Sequence, residues 1–241
     1  MAAYLALQWG GRLMLPSHTQ VLESAEAVAL EACRLIANAA QDAIRERSVF
    51  RLVLAGGTTP ARAYHLLAQT PQDLDRWEIF WGDERCLPVD DPQRNSRMSL
   101  PAKHCYPIPA ELGAEQAAVA YAQTIADKLP FDLVLLGMGE DGHTASLFPN
   151  PSPPAPLPQG ARGAREPLTV AVFNAPKPPP ERVSLSVEAL QACRQQLVLV
   201  TGAGKAQALA AWQAGADLPI ARAVRADACL LTERATLTLS T

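Results

Sequence analysis

The sequence predicts an α/β fold: a single domain, residues 1–241, built on a mainly parallel sheet with helices on both faces. Two patterns carry this expectation. Short apolar runs rich in Val, Leu and Phe alternate along the chain with Ala-rich stretches of helical period, the sign of strands joined by crossover helices. Several of those runs are apolar without interruption, as strands are when both faces are covered.

Each element has its own reason. The chain begins with a short strand. Residues 22–47, LESAEAVALEACRLIANAAQDAIRER, read as one long helix. Ala, Leu and Glu dominate there, and Val28, Ala32, Leu35, Ala39 and Ala43 recur at intervals of three or four. FRLVLAGG is a buried strand ending in glycines. TPARAYHLLAQ reopens a helix, with Thr59 as N-cap and Pro60 at the first helical position. A strand follows at Glu78–Trp81, a helix at 115–128 and a strand at Phe131–Leu136. LTVAVF (168–173), RVSLS (182–186), QLVLV (196–200) and ACLLT (228–232) read as further strands, and residues 204–215 as a helix stopped by Gly215. Six prolines between Pro149 and Gly160 exclude helix and central strand, so about 149–165 is expected to be a surface loop.

Composition narrows the function classes. With 49% apolar and 19% charged residues the chain is ordinary for a globular protein. A net charge of −3 gives no global basic field, which argues against nucleic acid and anionic lipid as partners. No apolar run reaches the roughly 18 residues of a membrane span, and the first residues lack the pattern of a signal peptide. The five cysteines are scattered and form no C-x-x-C, as expected of reduced thiols in the cytoplasm. No set of residues has metal-ligand spacing, and His104-Cys105 stands without a second ligand pair.

Four loops carry chemistry. LAGGTTP (54–60) runs from a strand through Gly56-Gly57 and two hydroxyls into a helix start. It is either a phosphate cradle using Gly56, Gly57 and Thr58, or a tight turn with a threonine cap. FWGDER places Asp83, Glu84 and Arg85 at a strand end, where parallel sheets bind ligands. Arg85 can fork onto a phosphate and Asp83 can orient a base, or the three form a solvated or internal ion cluster. VTGAGKAQAL (200–209) fails as a nucleotide P-loop because Ala206 follows Lys205, yet Lys205 can still meet an anion. DLVLLGMGEDGHTASLFP (132–149) spells G-x-G-x-x-G, the dinucleotide fingerprint. The long helix and the ribose-binding acid that should follow are missing, so no nucleotide cofactor is expected. The turn instead presents Asp141 and His143, the latter a proton-transfer group or a structural histidine. NAPKPPPERVSLS adds Lys177 and Arg182 on a proline-stiffened segment.

Taken together and in this order, AGGTTP, WGDERCLPVDD (81–91), LGMGEDGHTASLFP (136–149), APKPPPERVSL (175–185) and VTGAGKAQA (200–208) resemble the 6-phosphogluconolactonase family over roughly residues 50–210. The resemblance implies a Rossmann-like fold and hydrolysis of 6-phospho-D-glucono-1,5-lactone in the oxidative pentose phosphate pathway. It implies no cofactor and no metal, a small sugar-phosphate lactone as partner, and a monomer or weak homodimer. It carries over His143 as general base and Asp83 and Asp141 as acidic residues of the pocket. It also carries over Gly56, Gly57 and Thr58 as the phosphate loop, and Arg85, Arg182 and Lys205 as phosphate-side cations. The neighbouring hexosamine-phosphate isomerase/deaminase family has a loop like DGHIAFNEP, whose glutamate serves ring opening. Phe148 stands at that position here. A sugar-phosphate-sensing regulator would need a DNA-reading module in place of the opening strand.

Overall fold

A computed structural model describes residues 15–149 and 167–237 of the chain. The element order is β1 (His18–Leu22), α1 (Ala25–Arg47), β2 (Phe50–Leu54), α2 (Thr58–Leu67), β3 (Trp77–Trp81), β4 (Asp83–Arg85), β5 (His104–Tyr106) and α3 (Ala114–Ile125). It continues with β6 (Phe131–Gly137), β7 (Thr169–Val172), β8 (Arg182–Leu185), α4 (Val187–Gln191), β9 (Cys193–Val200), α5 (Ala206–Gln213), α6 (Pro219–Ala223), β10 (Cys229–Glu233) and α7 (Arg234–Leu237). The proline-rich segment falls outside the described residues, apart from Pro149 at its start.

Seven strands form one wholly parallel sheet in the order β1-β10-β9-β6-β2-β3-β5. Both faces are covered, since Phe131 to Leu136 of β6 are all buried in succession. α1 lies across β1, β10, β9, β6 and β2, and α2 packs on α1. The core joins Phe50, Trp77, Phe80, Phe131 and the aliphatic side chains of β6, β9 and β10. Among the described residues no helix is long and apolar enough to cross a membrane.

Several sequence expectations are corrected. Leu22 belongs to β1, and α1 starts at Ala25 behind Ser24, whose hydroxyl accepts from the Ala27 amide at 3.2 Å. Thr59 does not cap α2. The cap position is Gly57, at φ 109°, and the Thr59 hydroxyl is taken by Thr201 Oγ1 at 2.6 Å. No side chain therefore caps the α2 amides. β7 and β8 do not join the main sheet. With β4 they make a separate antiparallel sheet, β4-β8-β7, against which α3 packs. β4 and β5 were not foreseen, because strands of three residues are too short to show a period.

The strand order reverses between β2 and β6. From β2 the chain moves outward through β3 to β5, then returns to lay β6 on the other side of β2. Crossovers leave such a reversal in opposite directions and open a crevice at the strand C-termini. Two tyrosines hold that edge. The Ala55 N–H donates to Tyr64 Oη at 2.9 Å, and the Tyr64 hydroxyl donates to the Ala55 carbonyl at 3.0 Å. Tyr121 does the same at Trp81, at 3.0 and 3.2 Å. Burial raises both phenols well above their ordinary range, so both remain neutral.

Tyr64→Phe and Tyr121→Phe each leave a backbone N–H and C=O inside the protein without this partner. Each is expected to cost about 1–3 kcal/mol, measured as a lower urea midpoint at unchanged slope.

Candidate active site

A cleft of about 210 Å³ opens at the reversal. Its wall comes from the ends of β2 (Ala55, Gly56, Gly57), β6 (Leu135 to Gly139) and β3–β4 (Gly82, Asp83, Arg85). Asn95, His143, Thr144, Ala145, Arg182 and Lys205 complete it. Seven of the sequence-derived candidates thus meet in one place: Gly56, Gly57, Asp83, Arg85, His143, Arg182 and Lys205. Thr58 is exposed at the first turn of α2 and does not line the cleft. Asp141 also stands outside the wall, behind His143.

The loop after β6 is a closed turn. The Gly139 amide donates to the His143 carbonyl at 2.8 Å, and the Gly142 amide to the Gly139 carbonyl at 3.1 Å. Gly142 has φ +80°, which favours glycine. Asp141 Oδ1 accepts from the His143 amide at 3.2 Å and meets the ring at Nδ1, 2.5 Å away. A carboxylate on Nδ1 keeps the proton there and leaves Nε2 as the free acceptor. In the described residues after His143, up to Pro149, Thr144 and Leu147 close a short bridged turn and not a helix. Burial pushes the imidazole below its ordinary value, while Asp141 and Asp83 pull it up and Lys177 pushes it further down. The Asp141 carboxyl lies below its ordinary value: burial opposes this, but the His143 contacts outweigh it.

Sequence alone left open whether Asp83 or Asp141 meets the histidine; the geometry puts Asp141 there. Asp83 is buried, and its carboxylate is engaged elsewhere. Oδ1 accepts from Asn95 Nδ2 at 2.9 Å and Oδ2 from the Ser146 hydroxyl at 2.6 Å. Burial raises its carboxyl, with Ser146, Arg85 and Arg182 pulling the other way. The alternation of β4 separates the roles within Asp83-Glu84-Arg85. Asp83 and Arg85 line the cleft. Glu84, 0% exposed, accepts from the amides of Arg85, Asn95 and Ser96 and pairs with buried Arg94 at 3.4 Å. The ion-cluster reading thus describes Glu84, while Asp83 meets Asn95 and Ser146 rather than the histidine.

The antiparallel pairing of β4 with β8 sets Arg85 directly opposite Arg182. Like charges at such a position repel. Arg182 is 5% exposed and bound by the carbonyls of Lys177, Pro178 and Pro179. Burial lowers its guanidinium, Asp83 opposes that and Arg85 adds to it. Arg85 donates through Nη1 to the Gln93 carbonyl. Burial likewise lowers Lys205, against Glu140 and with Lys177. Two opposed guanidiniums and a lysine gather beside the uncapped start of α2, which suits an anion.

Sequence reasoning missed Asn95 and Ser146. Asn95 also explains Gly56: a Cβ there would overlap the Asn95 side-chain amide. Both are small polar residues in loops, indistinguishable in one sequence from solvated ones. Among the described residues seven side-chain atoms are buried without a hydrogen-bond partner, and three of them, Arg85 Nε, Asn95 Oδ1 and Thr144 Oγ1, belong to residues that line the cleft. A ligand in the cleft is one partner that would satisfy these three. Among the described residues no three His, Cys, Asp or Glu side chains gather as a metal site would require.

Fold and site together define a class: an α/β protein with a small cation-lined cleft at its strand ends and, in its wall, a histidine backed by a carboxylate. The chain matches the family described as glucosamine-6-phosphate isomerases/6-phosphogluconolactonase over residues 23–232, and it belongs to that family. It is similar to a 6-phosphogluconolactonase of Mycobacterium leprae, 33% identical, covering 90% of this chain and 95% of the relative. Its fold is similar to the crystal structure of a 6-phosphogluconolactonase from Thermotoga maritima, with TM-score 0.76, 26% identity, and 90% and 98% of the two chains covered. A monomeric glucosamine-6-phosphate deaminase shares the fold at TM-score 0.75 and 21% identity, covering 92% of this chain and 100% of that one. Fold alone therefore does not separate the two activities.

Asp141 holds the His143 proton, so Asp141→Asn is expected to lower the imidazole's titration midpoint below that of the unchanged chain. Proton NMR of the ring reads it; a midpoint that stays or rises would remove Asp141 from this part.

Proposed function

We propose that this chain hydrolyses 6-phospho-D-glucono-1,5-lactone to 6-phosphogluconate, in the cytoplasm and without a metal. The observation that carries the reading is His143, backed by Asp141 and free at Nε2, in one cleft with Arg85, Arg182 and Lys205. The named lactonase relatives supply the substrate class.

In this reading the 6-phosphate is held by the Gly56-Gly57 backbone at the start of α2, by Arg85 and Arg182, and by Lys205. Its charge relieves the repulsion between the opposed guanidiniums. The anchored phosphate sets the lactone carbonyl, C1, near His143. Nε2 takes a proton from water as the water oxygen bonds to C1. The tetrahedral oxyanion is met by backbone amides of a glycine loop or by one of the cations. The bond from C1 to the ring oxygen then breaks, and the imidazolium returns its proton to that oxygen. The new carboxylic acid ionises, so each turnover releases one proton to solution. Burial of His143 favours the neutral base that the first step needs.

The deaminase reading has the same fold and a similar loop, but it needs a proton carrier where Phe148 stands. Phe148 packs its ring on the imidazole, with centroids 4.7 Å apart. A phenyl ring can shield a base and cannot shuttle a proton.

The test is acid release from freshly made lactone, with a chelator present, compared with the spontaneous rate. Release no faster than background ends the reading, and loss of activity on chelation ends its metal-free part. His143→Ala is expected to lower kcat by about 10²–10⁴-fold. Arg85→Ala is expected to raise KM for the phosphorylated lactone by roughly tenfold or more, as loss of a charge-assisted contact implies. An unchanged KM would take Arg85 off the phosphate.

A further inference from the structure

Three groups confine the His143 ring. Asp141 holds its Nδ1 edge at 2.5 Å. Gly139 closes another side, since a Cβ there would overlap Nδ1 and Cε1 of the ring. The third is Phe148, whose ring lies 4.7 Å from the imidazole, centroid to centroid, at 39°. Phe148 is 5% exposed, yet it stands apart from the main hydrophobic core. Among the described residues its ring contacts are with the site, at His143 and Arg182. The Arg182 guanidinium lies over the same phenyl ring, with Cζ 5.5 Å from its centroid. One aromatic side chain therefore touches both the histidine and a cation of the cleft.

We propose that Phe148 is a positioning residue that clamps the His143 imidazole against Gly139, keeps water from the ring, and seats Arg182 beside it. The proposal deepens the lactonase reading and rests on it for the role of the base. An imidazole fixed at Nδ1 alone can still swing about that bond. A ring pressed on it removes this freedom, and near-attack geometry tolerates little error. The ring also strips hydration from the imidazole, which disfavours the charged form. The charged groups that face His143 are Asp141 on its own loop, Asp83 from β4 and Lys177 from the β7–β8 connection. None of these is removed with the phenyl ring. Opening the ring to water relieves the burial that disfavours the charged imidazole while both carboxylates remain, so the base is lost at a higher pH.

The test uses the full chain and two readouts. NMR follows the His143 ring among the four histidines, its signal identified by its loss in His143→Ala. The pH dependence of kcat/KM is followed on the lactone. In Phe148→Ala the His143 midpoint is expected to rise by roughly 0.5–1 pH unit. The acid limb of kcat/KM should move up with it, and kcat should fall about tenfold or more while KM changes less. Phe148→Tyr keeps the ring and is expected to restore both. Phe148→Gln keeps side-chain length without the ring and serves if the alanine variant does not fold. A midpoint that stays or falls in a ring-less variant with native-like spectra overturns the clamp. So does a limb that stays while the midpoint rises. If the unchanged chain shows no lactonase activity but the midpoint still rises in the variants, the clamp stands and the reading of the reaction fails.

Discussion

The site depends on one buried carboxylate. Asp83 leaves β3 at the start of β4, and its two oxygens bind Asn95 from the following loop and Ser146 from the histidine loop. The Ser146 amide in turn donates to the Ser184 hydroxyl on β8 at 3.3 Å, directly across from Asp83. Four chain segments thus converge on a group that is almost wholly buried. A buried carboxyl left without such partners would be strongly unfavourable. The same bonds that satisfy Asp83 therefore hold the loops in register around the cleft.

The second antiparallel sheet has a purpose visible in its register. Pairing β4 with β8 brings Arg182 across from Arg85, an arrangement that weakens the sheet by itself. Proline-loop carbonyls and the Phe148 ring hold Arg182 in place. Gly57 at the uncapped start of α2 and Lys205 line the same cleft. The protein's own bonds hold Arg182 in place, which is the condition for electrostatic preorganisation.

Much of this was legible in the sequence, for particular reasons. Short apolar runs such as Leu133–Leu136, bounded by turn residues, read as strands covered on both faces, and the glycines after them as turns. His143 and Asp141 are two residues apart on one glycine turn, so their contact is local. Asn95 and Ser146 gave no such signal. Their importance lies in meeting Asp83 across 12 and 63 residues of chain. Thr59 looked like a helix cap because of its neighbours, but its hydroxyl found Thr201, 142 residues away.

By itself the sequence determined the α/β class, the order of most strands and helices, and the glycine turns at strand ends. Those follow from local periodicity and from the steric freedom of single residues. Only the tertiary structure decided that β7 and β8 leave the main sheet, that Asp141 rather than Asp83 meets the histidine, and that Phe148 packs on the imidazole. Each of these is set by pairing register or ring packing between distant segments. A side chain's partner there is chosen by geometry that no stretch of sequence contains.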